Sequence, residues 1–237
     1  LLMSSDISKG VKSIKKSVRK GKISEERLAR SVKKILKAKY KVGLNNYKSV
    51  ETINLIDDLN NISVTNLINK SIENIPTLIK NNNNVIPVKL DTESILNVQF
   101  GNDDGALFND YLNKYGSIRS IKASDINTNN LNSLLANHKL LIVSFHMKSD
   151  TPWENMNKKF SLKEQDILKT IDEHNNKVLA SFTNPYALSQ INLKSYNSVV
   201  VGFQNNHEFQ KIIAQQIFGA KDIKGTLPVS INDTLKE

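Results

Sequence analysis

Three stretches leave this chain little freedom: KLLIVSFH at 139–146, KVLASFT at 177–183 and SVVVGF at 198–203. Each is apolar almost without interruption. A strand with one wet face alternates apolar and polar residues, whereas a strand buried on both faces reads as a continuous run. SILNVQF at 94–100 and SIRSIK at 117–122 are two further strand candidates. Stretches with helical spacing fall between them, at 104–115, 126–137, 161–175 and 206–218. Strands alternating with helices predict a parallel sheet built by right-handed crossovers. The fold class is therefore α/β, a three-layer α/β/α sandwich with a mostly parallel sheet. TLIK and VIPV flank Asn81–Asn84 as short extended segments around an asparagine turn. TLPVSI is expected to form a last strand after a turn at Gly225, with Pro228 marking an edge or a bulge.

The first 48 residues are of a different kind. They carry 15 Lys or Arg against 3 Asp or Glu, while the remaining 189 residues carry 18 against 20. The overall charge of +10 is thus the property of one segment. Two helices are expected in it. The first spans 6–21, capped by Asp6 or Ser8, with Val11, Ile14 and Val18 on one face and Gly21 as its stop. The second starts after Ser24, has Glu25 and Glu26 in its first turn, buries Leu28, Val32, Ile35 and Leu36, and stops at Gly43. Two amphipathic helices with basic outer faces make no core of their own, so these stripes call for a partner surface. A polar connector follows over 45–60, then a helix over 62–74 ended by Pro76.

Composition excludes several chemistries. With no cysteine there are no disulfides, thiolate metal sites or cysteine nucleophiles. No apolar run approaches the 18 or so residues of a transmembrane helix. His138, His174 and His207 lack metal-ligand spacing and read as surface positions. KDIKGTLP, with Asp222, Lys224 and Thr226, has no preceding glycine loop and is no phosphate cradle. No G-x-S-x-G elbow is present. The basic helices, with Lys9, Lys12, Lys15, Lys16, Arg19, Lys20 and Lys22, could meet nucleic acid or anionic lipid, but they contain one aromatic, Tyr40, and no reading motif, so no nucleic-acid partner is expected. Neither a cofactor nor a metal is called for.

Three candidates remain. FGNDDG at 100–105 follows a strand, as a ligand loop at a sheet's carboxyl edge would, or as a plain turn with Asn102 or Asp103 capping the next helix. His146 ends the most apolar strand and is a candidate substrate contact, against a simple packing role. Trp153, after Pro152, is a candidate to stack on a sugar ring, against anchoring its own loop.

The succession LLM-x-x-D, a basic helix, G-K-I-S-E-E-R and K-x-x-x-G-L in residues 1–44 resembles the end of the barrel domain of glycoside hydrolase family 3, in its β-N-acetylhexosaminidase-like branch. SIENIPTLIKNNNNVIPVK, SFTNPYAL and VVVGFQNNHEFQKIIAQQIFGAKDIKGTLPVSI resemble that family's second domain, while 101–165 matches in pattern more than in residues. The resemblance implies residues 1–46 as the terminal helices of a (β/α)₈-type barrel, 47–60 as a linker and 61–237 as the C-terminal sandwich domain. It implies retaining hydrolysis of a β-linked N-acetylhexosamine or another β-glycoside by the whole protein, bacterial and in the periplasm, cell envelope or medium, with the cytoplasm also compatible. The nucleophilic aspartate is then expected a few residues upstream of Leu1, and the general-acid histidine farther upstream. No catalytic residue falls in this chain, which alone is expected to be inactive, a scaffold at the rim of the cleft. Its partners would be carbohydrate and a barrel, or another copy, covering the 1–44 helices. Where the family places small residues and an arginine after the strand-end histidine, this chain has Met147, Lys148 and Ser149. An independent carbohydrate- or protein-binding module is the other reading.

Overall fold

The apolar runs form the middle of a six-stranded sheet. In this computed structural model, which describes residues 5–148 and 160–231, the strands are β1 (Thr77–Asn81), β2 (Ile95–Gly101), β3 (Ile118–Lys122), β4 (Leu140–His146), β5 (Lys177–Phe182) and β6 (Ser198–Val201). Their order across the sheet is β1-β6-β5-β4-β2-β3. All neighbours pair in parallel except β1, which runs antiparallel on β6 at the edge. Every residue of β4, β5 and β6 is buried, as continuous apolar runs require.

Alternation along each strand feeds two separate cores. Leu141, Val143, Phe145, Leu179, Val199 and Val201 point to one face, under α6 (Leu131–Ala136) and α7 (Leu162–Asp172). Ile142, Val178, Ala180, Phe182 and Val200 point to the other, under α5 (Ala106–Leu112) and α8 (His207–Ile217), with Ile72 of α4 (Ile62–Asn74). Each fully buried side chain of this size contributes about 1.5–3 kcal/mol. On the α5 face, β2 presents Asn97 and Gln99 instead of apolar residues. Asn109 of α5 answers them: its Oδ1 accepts from Asn97 at 2.7 Å, Gln99 at 2.8 Å and Ser120 at 2.8 Å. Ser144 in turn donates to Asn97 at 2.9 Å. Buried amides that are fully paired cost little and fix register.

Lys177 is buried as well. Its Nζ donates to the carbonyls of Asp172, the last residue of α7, and of His174 just beyond it, at 2.9 and 2.5 Å, where cations meet the negative end of a helix. Burial holds its ammonium below the usual lysine range.

The expected last strand over 226–231 does not form. Thr77 makes a single parallel bridge to Gly225, and the Gly225 N–H donates to Pro76 O at 3.1 Å. A Cβ at 225 would collide with the carbonyl of Ile75, so glycine allows this approach, and Pro228 lacks a donor to continue it. Leu227 and Ile231 pack on the core without pairing. VIPV forms no strand either. The asparagine turn is present, with Asn83 and Asn84 at φ of 60° and 51°, a backbone region that asparagine tolerates.

The chain divides into units Leu1–Leu59 and Asn60–Glu237. In the first unit lie α1 (Ile7–Arg19), α2 (Glu25–Lys41) and α3 (Leu55–Leu59). The last is a short helix inside the stretch expected to be a plain connector, where Leu55, Ile56 and Leu59 recur at helical spacing. Asp6 caps α1 through Lys9 N at 2.8 Å, and Ser24 caps α2 through Arg27 N at 3.1 Å. No residue of these three helices is buried, and Ile35 and Leu36 are 56% and 58% exposed. No described helix is long and apolar enough to cross a membrane.

Replacing Ile142 by alanine should lower the unfolding free energy by about 2–5 kcal/mol. The same change at the exposed Leu162 should lower it by less than about 0.5 kcal/mol. Urea midpoints of the two variants check this.

Candidate functional site at the carboxyl edge of the sheet

The strand order reverses between β2 and β4: from β2 the chain goes first to β3 on one side and then to β4 on the other. Such a reversal opens a crevice at the carboxyl ends of the strands, the usual ligand position in open α/β sheets. FGNDDG and His146 both lie there. Gly101 and His146 are register partners. Gly101 has φ +110°, and a Cβ on it would run into the His146 carbonyl. That carbonyl accepts from Asp103 N at 3.1 Å, so the loop folds tightly over the end of β4. Asp104, rather than Asn102 or Asp103, supplies the side-chain bond at the start of α5: its carboxylate accepts from Ala106 N at 2.9 Å.

His146 is 1% exposed. Its ring lies 4.6 Å from Phe182 and 5.7 Å from Phe108, centroid to centroid. Nδ1 donates to Asn205 Oδ1 at 3.0 Å, which leaves Nε2 bare. Nε2 has no hydrogen-bond partner, and a Cβ on Gly105 would stand 2.6 Å from it. Burial drives the imidazole pKa down to about 4, against the opposing pull of Asn205, Asp103 and Asp104. The ring is therefore neutral at physiological pH.

Asn205 and Gln210 complete the arrangement, and neither stood out in the sequence. Asn205 Nδ2 and Gln210 Nε2 both donate to Asp104 O, at 3.0 and 2.8 Å. Gln210 Nε2 also donates to Asn205 Oδ1 at 2.9 Å, and its Oε1 accepts from Phe108 N at 2.9 Å. Burial opposes ionisation of Asp103, but hydrogen bonds from Asn205 and Asp104 N, with Lys148 and His146 nearby, hold its carboxyl below the usual range. A signal for Gln210 existed: it is a polar residue beside Phe209, Ile212 and Ile213 on the buried stripe of α8. Asn205 carries no such mark.

Outside this knot of side chains is a polar cavity of about 380 Å³, lined by Gln99, Asp103, Asp104, Lys122, Ser124 and Glu164, together with residues 100–102 and 123. His146 is not on its wall, so a molecule in the cavity meets the acidic loop and not the imidazole. Trp153 lies outside the described residues. His138 and His174 are half-buried and joined by a hydrogen bond from His174 Nε2 to His138 O at 2.9 Å, while His207 is exposed at the start of α8. Among the described residues no cluster of His, Asp and Glu could hold a metal ion.

No family model matches the chain, and no curated protein matches its sequence. Solved structures do. A structure titled β-glucoside phosphorylase BglX superposes with a TM-score of 0.72 at 19% identity, over 93% of this chain and 41% of that one. A glycoside hydrolase family 3 β-N-acetylglucosaminidase from Paenibacillus sp. FPU-7 gives 0.63 at 18% identity, over 91% and 41%. A fungal multi-domain family 3 β-N-acetylglucosaminidase gives 0.63 at 14%, over 94% and 25%. The chain thus spans about two fifths or less of the length of these structures, and has the fold of their C-terminal portion.

Two outcomes follow from the knot. Gly101→Ala should destabilise the chain by roughly 2–4 kcal/mol, through its strained φ and its clash with β4, as a urea midpoint would read. A folded-state pKa near 4 at His146, below the usual 6.5, means that the unfolded chain takes up the proton first on acidification. Stability from this site is complete above about pH 6.5 and falls by roughly 3 kcal/mol as pH drops to about 4. In His146→Gln that part of the pH dependence should vanish from urea midpoints taken across this window.

Proposed function

We propose that this chain is the C-terminal portion of a glycosidic-bond-cleaving enzyme of the glycoside hydrolase family 3 type, whose catalytic groups reside in a barrel domain outside residues 1–237. The observation that carries the reading is the extent of the structural likeness. A match over 93% of the chain is longer than residues 60–237 can supply, so it takes in the basic helices as well as the sandwich. The motifs of residues 1–44 point to the same family independently of the fold.

On this reading α1 and α2 are the closing helices of the barrel, 47–60 is the linker, and the exposed stripes of Val11, Val32, Ile35 and Leu36 pack against barrel elements. The whole protein would cleave a β-linked N-acetylhexosamine, or another β-glycoside, with retention. A carboxylate attacks the anomeric carbon while an acid protonates the departing oxygen, and water or another acceptor then attacks the glycosyl–enzyme. The sandwich contributes no reacting group. It offers the rim at the ends of β2 and β4, where His146, Asn205 and Gln210 hold the Asp103–Asp104 loop in one conformation, and Trp153 is the candidate sugar-stacking side chain. The alternative of an independent binding module draws support from the two-sided core of residues 60–237, which needs nothing from the first unit.

The full-length protein should release p-nitrophenol from p-nitrophenyl N-acetyl-β-glucosaminide or from the β-glucoside. Assays with and without inorganic phosphate separate hydrolysis from phosphorolysis. Residues 1–237 alone should release none. Turnover by residues 1–237 would overturn the assignment, as would a full-length protein inactive on every β-glycoside. Tight binding of N-acetylglucosamine oligomers by residues 60–237 alone would favour the module.

A further inference from the structure

Nine of the twelve cations within α1 and α2 fall into rows, with Lys15, Lys33 and Lys39 off them. On α1, Lys9, Lys12, Lys16 and Arg19 follow one another at steps of three, four and three. On α2, Arg27, Arg30, Lys34, Lys37 and Lys41 repeat the pattern with one further step of four. At 3.6 residues per turn this spacing draws a straight row along one face of each helix. All nine side chains are exposed. The apolar residues keep the same rhythm on the opposite side: Ile7, Val11, Ile14 and Val18 on α1, and Leu28, Val32 and Ile35 on α2.

Like charges three and four residues apart repel and weaken a helix. The chain does little to relieve this repulsion. Residues 1–48 contain only three carboxylates, Asp6, Glu25 and Glu26, and two of these have other work: Asp6 caps α1, and Glu26 pairs with Arg30 at 3.3 Å. A solvated helix face reaches solubility with mixed charges, as the rest of this chain does with 18 cations against 20 anions. A single-sign row repeated on two successive helices is suited to a partner that is itself an extended array of anions.

We propose that these cationic rows dock on an anionic bilayer surface. The chemistry favours lipid headgroups over nucleic acid. Six of the nine cations are lysines, compact charges on flexible stems that suit a diffuse array of phosphates better than paired contacts at fixed positions. Binding of single strands needs aromatic platforms for the bases. The aromatic residue of these helices, Tyr40, lines a groove with Val18, Leu28, Val32 and Leu36, which Lys33 and Lys37 border. The inference does not depend on the glycosidase reading. It uses the exposed cations of the rows and leaves the apolar stripes to whatever covers them.

The test is co-sedimentation of the full-length protein with vesicles of phosphatidylcholine alone and of phosphatidylcholine with about one third phosphatidylglycerol, at about 0.05 M and 0.5 M salt. Binding is expected to the anionic vesicles only and to be lost at high salt. Combining Lys12→Gln, Lys16→Gln, Lys34→Gln and Lys37→Gln should weaken it by at least about tenfold. Removing the same charge from the second unit, with Lys70→Gln, Lys89→Gln, Lys114→Gln and Lys169→Gln, should leave it unchanged. Circular dichroism checks that both variants fold. Absence of binding, equal binding to neutral vesicles, or equal loss in the two variants would overturn the proposal. Tighter binding to duplex DNA than to anionic vesicles at equal phosphate concentration would overturn the choice of lipid.

Discussion

Everything in the second unit follows from burying a parallel sheet on both faces. Once β4, β5 and β6 lose contact with water on each side, helices must cover them twice over, and crossovers must carry the chain from one edge to the other. That requirement creates the reversal of strand order between β2 and β4. The crevice is therefore a by-product of burying apolar surface, and the chain then furnishes it with polar side chains.

The furnishing is itself a packing problem. The loop after β2 closes so tightly on β4 that only glycine fits at 101, and Gly105 lies against the bare Nε2 of His146. Two amides, Asn205 and Gln210, come from across the sheet and hold the backbone carbonyl of Asp104 between them. The result is a rigid rim with a neutral histidine inside it and an acidic loop outside. Deeper in, Asn109 gathers Asn97, Gln99 and Ser120 around one oxygen, so the polar side of β2 is joined to the helix that starts at the rim. Hydrogen bonds of this kind hold the loop over the end of β4 in one arrangement.

The first unit obeys a different logic. Its helices are well capped and strongly two-sided, yet they bury nothing of their own. One side of each helix carries aliphatic residues and the other a row of cations, so each has two faces of opposite chemistry. Local rules account for its shape completely, and nothing local says what meets either face.

Periodicity alone was enough to locate α1, α2 and five of the six strands, because caps, helical stripes and continuous apolar runs are decided by near neighbours in the chain; the short α3 was missed. It also flagged the loop after β2 and the end of β4. The failures are of another sort. TLPVSI has the composition of a strand, but whether it pairs depends on an edge that Thr77 offers at one residue only. His146 looked like a strand-end side chain facing a cleft; its seclusion depends on Phe108, Phe182 and Asn205, which are 38, 36 and 59 residues away in the chain. Asn205 was unreadable for the same reason, since its partners His146 and Asp104 belong to the end of β4 and the loop after β2. Secondary structure, the two-sided sheet and the segregation of charge were properties of the sequence by itself. The reversal at β2 and β4, the burial of His146 and the amide knot over Asp104 were decided only by tertiary structure, because they are contacts between segments whose spacing in the chain carries no record of their meeting.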